Sequence, residues 1–225
     1  MLMRQELVET TRDILETLYA KYNHRHLIKP DPLQFVYCYS SGADMEIVAL
    51  LASCLAYGRV RQIGKDLAEL FSRIGPSPCE FVMSFDKNSR RKLDGFKHRF
   101  NCGDDIATLM VALRLIFEQY ASLEEFFLEG YDDTADSVAG ALSAFSRGIL
   151  KLCAQNRKGA VPASLAYLLP DPTAGSCCKR LNLFLRWMVR DDEVDVGLWK
   201  SVDTSKLLVP VDTHMARLCK ILGLY

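Results

Sequence analysis

Three observations predict an all-α fold for this 225-residue chain. Apolar residues recur at helical spacing over most of its length. No run alternates apolar and polar residues with period two. Turn residues break the pattern at intervals that leave helices of ~8–20 residues. Residues 3–21 make an amphipathic helix with Leu7, Ile14, Leu15 and Leu18 on one side. Residues 23–41 are irregular, because Pro30 and Pro32 force extended backbone. Asp44 is placed to N-cap MEIVALLASCLAYG, a helix apolar on nearly every face and therefore central, which Gly58 ends. Residues 60–74 form the next helix, closed by Gly75-Pro76-Ser77-Pro78. The segment CEFVMSF leads into a basic stretch with Lys87, Arg90, Arg91, Lys92, Lys97, His98 and Arg99, read as a solvated or DNA-flanking loop. Asp104 and Ser122 start two further helices, residues 134–155 form another, and the last runs from Asp212 to Gly223. The expected organisation is residues 1–43, a helical lobe 44–200 with a hairpin-like segment 168–190, and a C-terminal segment 201–225.

Composition narrows the function classes. Lys+Arg and Asp+Glu both number 28, so the net charge is zero. A protein that coats nucleic acid without specificity is basic, which leaves only a local basic site. No apolar run reaches the ~18–20 residues of a membrane span. The first 22 residues carry four acids and no apolar stretch of the secretory kind, so the chain is expected in the cytoplasm, off the membrane. None of the eight cysteines forms a CxxC, and they read as reduced, buried, small hydrophobes. Metal ligands at short spacing are missing, so no metal and no cofactor is expected.

Two segments hold residue types suited to chemistry. Asp212 stands where it caps the last helix; backbone N–H donors there fix its carboxylate and favour the ionised form. It is a cap, or a group that stabilises a neighbouring cation. In KRLNLFLRWMVR, Leu181, Phe184, Leu185 and Met188 share one helical face, while Lys179, Asn182, Arg186 and Arg190 lie within about an 80° arc on another. That arc is a solvated surface, or a nucleophilic lysine at a helix N-terminus with phosphate-binding arginines beyond it. His214 is assigned no chemistry. Arg217, one turn after Asp212, meets a phosphate or only solvent.

Lys179-x-x-Asn182 preceded by Gly175-Ser176-Cys177-Cys178, with VDTHMAR downstream, resembles the helix-hairpin-helix DNA glycosylase superfamily, including endonuclease III and the archaeal-type 8-oxoguanine glycosylases. The hairpin LLPDPTAGSCCKRLN is longer than that family's and lacks its Gly-x-Gly. The 33-residue separation of Lys179 and Asp212 is wider than in the endonuclease III-like branch and is similar to the archaeal branch. The whole chain also resembles a bacterial family of unassigned function that joins DxEIxxLLAxxLAYG, RLNLFLRWMVR and PxDTHxxRLxxxLGL.

The resemblance implies a two-lobed helical glycosylase fold acting as a monomer on damaged double-stranded DNA, and hence at the nucleoid. It implies Lys179 as nucleophile and Asp212 as its charged partner. Gly175, Ser176, Asn182, Arg186, Arg190, Arg59 and Arg217 would touch DNA, and Tyr57 would fill the gap left by a displaced base. Members continue with further helices, so the chain is expected to be C-terminally truncated and to lack the family's iron–sulfur loop. The implied activity is base excision with AP lyase chemistry. The alternatives are a catalytically silent nucleic-acid-binding protein on the same scaffold and a helical interaction protein without a DNA role.

Overall fold

A computed structural model of the chain describes residues 2–157 and 160–223, with side chains from residue 10 onward. Helix accounts for 64% and strand for 3%, so the fold is all-α. The longer helices are α1 (Leu2–Tyr22), α2 (Gly42–Cys54), α3 (Val60–Ile74), α6 (Gly103–Phe117), α8 (Ala139–Arg157), α10 (Lys179–Val189) and α11 (Thr213–Ile221). Short ones lie between them: α4 (Pro78–Met83), α5 (Lys87–Lys92), α7 (Leu123–Leu128) and α9 (Ala163–Leu168). A two-stranded antiparallel hairpin, β1 (Lys97–His98) and β2 (Asn101–Cys102), pairs His98 with Asn101. Among the described residues no helix is long and apolar enough to cross a membrane.

The all-round apolar pattern of α2 makes it the centre. Its residues Ile47 to Ala52 are fully buried, and the 32–38 turn, α4 and α10 pack around it. On the far side α6 packs on α8, and Phe127, Phe145, Phe184 and Trp199 interlock, with the Phe184 and Trp199 rings perpendicular at 5.3 Å. The core is one cluster from Ile28 to Val202. Leu33 and Val36, from the segment before α2, belong to it.

Asp44 does not cap α2, whose N-cap is Ser41. One turn into the helix, its carboxylate instead accepts the Cys79 N–H of α4 at 2.7 Å. Glu46, 3% exposed, accepts the N–H groups of Leu123 and Glu124 at 3.0 and 3.1 Å and the Trp199 indole N–H at 2.6 Å. Burial pushes its carboxyl above the usual range, against the pull of these three donors. The two acids of the central helix thus satisfy orphan donors at the starts of two other helices.

Further departures have local causes. Ile14, Leu15 and Leu18 of α1 are 42–47% exposed, because α1 lies outside the core; Leu7 falls outside the described side chains. Asp104 does not start α6: Cys102 is the N-cap, with Asp105 reaching back to its N–H. The α8 helix begins at Ala139 rather than 134. Cys54, Cys153 and Cys178 are buried as expected, but Cys38, Cys102 and Cys177 are exposed.

Glu46→Ala leaves two backbone donors and one indole donor without acceptors. The expected loss is about 3 kcal/mol of stability, read as a lower midpoint in urea denaturation.

Candidate active site and nucleic-acid interface

Lys179 is the first residue of α10, and Cys178 before it adopts a left-handed conformation, φ 45° and ψ 36°. Only a few per cent of non-glycine residues do so. That turn delivers Lys179 to the α11 side. Asp212 caps α11: one carboxylate oxygen accepts the N–H groups of His214 and Met215, both at 2.9 Å. The other oxygen lies 2.6 Å from Lys179 Nζ. The two side chains are 40% and 34% exposed, so the pair sits at the mouth of the surface. The Lys179 ammonium, helped by the two backbone donors, holds the Asp212 carboxyl down at about 2.

The remaining expected residues divide into those that face solvent and those that do not. Gly175 takes the left-handed conformation (φ 79°) that ends the 172–174 turn, and Ser176 Oγ accepts the Cys178 N–H; both are exposed. Arg59 and Arg217 are exposed and have no carboxylate partner among the described residues. Asn182 is a correction. It is 3% exposed rather than on a solvated arc, and its amide donates to the Cys177 carbonyl, so it holds the hairpin loop. Arg186 and Arg190 also differ from expectation. Arg186 Nε lies 2.9 Å from the fully buried Asp195, and Arg190 pairs with Asp192 and Asp195. The acidic turn after α10 folds back on the basic arc and neutralises it.

A cleft of about 480 Å³ opens along this face. Tyr19, Arg186, Arg190, Asp192 and Pro210 line it. Lys179 and Asp212 do not, but Arg186 stands two turns along α10 from Lys179, and Pro210 precedes Asp212 by two residues. Asp31, which sequence reasoning missed, lies in the electrostatic field of both Lys179 and Arg186.

Tyr57 stands behind a second ring. Its hydroxyl donates to Asn101 Oδ1 at 2.6 Å, and its ring is half-buried behind Phe100, parallel to it at 6.2 Å. The most exposed aromatic of this cluster is Phe100, at 64%, on the tip of the β1–β2 hairpin beside Arg99. Arg99 is the other non-glycine residue with positive φ among the described residues, at 51°. Its stem lies across Gly58, where an added Cβ would come within 2.9 Å of Arg99 Cδ. His98 is not part of a basic surface: it is 1% exposed, with its ring nitrogens 2.7 Å from Asp66 and 3.1 Å from the Tyr57 carbonyl. Arg180, 9% exposed, donates to the Cys54 carbonyl at the end of α2 and to the Tyr167 carbonyl, and stacks on both the Tyr57 and Tyr167 rings. It ties the aromatic cluster to the first turn of α10. No strand signal marked this hairpin, because two-residue strands carry no periodicity; the adjacent Arg-Phe beside a basic run was the available cue.

Two outcomes test this geometry. Carboxyl NMR titration should find Asp212 titrating near 2, and Lys179→Met should raise it toward the ordinary ~3.9. A depressed carboxyl stabilises the fold above the unfolded pKa, so the contribution of the pair is complete above about pH 4 and disappears as pH falls through about 2. Arg186→Ala should lower stability by about 3 kcal/mol in urea denaturation, because it removes the closest counter-charge of a buried carboxylate.

Comparison with curated proteins and with solved structures finds no match. Residues 31–225, most of the chain, match the family described as "Protein of unknown function (DUF2400)", and the chain belongs to that family.

Proposed function

We propose that this protein excises a damaged base from double-stranded DNA through a lysine nucleophile, as the resemblance to helix-hairpin-helix glycosylases implies. One observation carries the reading. Two residues 33 positions apart, on different helices, meet at 2.6 Å, and the carboxylate is held in place by two backbone donors. A cap alone needs no lysine partner. A surface lysine alone needs no strained residue before it.

The chemistry assigns each group a role. The free amine of Lys179 attacks the sugar C1′ of a displaced nucleotide; the C1′–N bond breaks and the base leaves with the bonding pair and takes up a proton. The attacking form is the free amine, its extra proton passing to water. A substrate sugar entering between the two groups breaks the pair, and cationic C1′ replaces the ammonium opposite Asp212. The C1′–O4′ bond then breaks, O4′ leaving with the bonding pair and taking the Nζ proton, and the resulting imine allows loss of a C2′ proton and β-elimination of the 3′ phosphate. On this reading the extruded base would enter the cleft beside Arg186 and Tyr19, which adjoins the pair without being lined by it.

A second reading, a helical interaction protein without a DNA role, draws on one observation: Arg186 and Arg190 are neutralised by Asp192 and Asp195, and Lys179 by Asp212. Borohydride reduction of mixtures with duplexes carrying abasic or oxidised sites separates the two. Wild type should form a covalent protein–DNA adduct and Lys179→Gln none. Asp212→Asn keeps a cap, so stability should change little, while turnover falls by about 10²–10³. No adduct with any duplex sinks the enzyme.

A further inference from the structure

The hairpin tip has features that the proposed chemistry leaves unused. Phe100 and Tyr167, 64% and 44% exposed, stand edge to face at 84° with centroids 5.9 Å apart, forming an open corner. Tyr57 backs Phe100. The Arg99 guanidinium lies 5.4 Å from the Phe100 centroid. Lys97 and Arg99 are exposed and have no carboxylate partner among the described residues, so the corner is cationic as well as aromatic.

This tip is rigidly built for something so exposed. Its strands are fixed by His98 on Asp66, by the Tyr57 hydroxyl on Asn101, and by Asn101 donating to both Asp105 and the Ser164 carbonyl. Arg99 is held in a conformation that favours glycine, and such strain persists only where surrounding structure overrides it. Buried polar ties and backbone strain together maintain an exposed phenylalanine that packs on no core. Exposed rings flanked by cations suit one ligand well: a flat, π-faced group carried on a phosphate backbone.

We infer that the Phe100–Tyr167 corner is a stacking platform for an unpaired base of DNA, with Arg99 and Lys97 meeting the flanking phosphates. The inference rests on the proposed DNA-acting role and adds a second contact region to it, separate from Lys179 and Asp212.

The test uses the full chain and duplex DNA with one unpaired 2-aminopurine, alongside the fully paired duplex and the single strand. Wild-type protein should quench the unpaired base and bind that duplex more tightly than the paired one. Phe100→Ala should bind it about tenfold more weakly and lose the quench; Phe100→Trp should retain both. Thermal melting of Phe100→Ala should match wild type, since the ring is exposed. Lys179→Gln should keep the quench while losing borohydride trapping. A quench and affinity that survive Phe100→Ala overturn the platform even if trapping is intact. A Phe100-dependent quench without trapping overturns the catalytic reading and upholds the platform. A wild type that leaves the unpaired base unquenched overturns the platform, and trapping then judges the catalytic reading alone.

Discussion

The buried carboxylate of Glu46 is the constraint on which the rest of the molecule depends. A central helix with no polar face has few means of fixing what surrounds it beyond shape. Here α2 has two acids in its first turns. Asp44 takes a backbone donor of α4, and Glu46 takes two from α7 and the indole of Trp199. At the opposite end, Arg180 donates to the Cys54 carbonyl, where the helix dipole is negative. Both ends of one helix therefore fix the directions of its neighbours, and the second tie lies next to Lys179. The candidate site inherits its position from the core.

The electrostatics explain how a chain of zero net charge can hold a cationic surface. Most of the charge along α10 is balanced within a few residues: Arg186 and Arg190 close on Asp192 and Asp195, and burial pushes the Asp195 carboxyl up even with those cations beside it. Arg59, Lys97, Arg99 and Arg217 are among the cations left without carboxylates among the described residues. Two of the four, Lys97 and Arg99, flank Phe100 of the aromatic corner in sequence. Counting charges along the chain conceals this, because what matters is which cations the fold leaves unmatched.

Much of the fold was legible because helical periodicity is a local signal, and α2, α3, α7, α10 and α11 follow from it. The Asp212 cap was legible too, since capping depends on residues two and three positions away. The meeting of Lys179 with Asp212 was legible only through resemblance, as no periodicity links positions on different helices. The roles of Asn182, Arg186 and Arg190 were hidden. A helical wheel assigns a polar face to solvent, whereas a left-handed Cys178 and the acidic turn 191–195 enclosed that face. The exposure of α1 was unreadable for a similar reason: amphipathicity says that a face is apolar, not that anything lies opposite it.

The tethering of α11 has a consequence for when the site exists. Among the described residues, none beyond Leu207 is buried, and the Lys179–Asp212 pair is the one hydrogen-bonded link from 208–223 to the rest. An exposed pair of this kind is worth on the order of 0–1 kcal/mol. With only half-buried side chains to add to it, detachment of the last helix costs less than global unfolding. The carboxylate and the amine form a site only in the docked fraction of molecules. Added electrolyte screens the pair, so ionic strength thins that fraction directly, before any polyanion enters the solution.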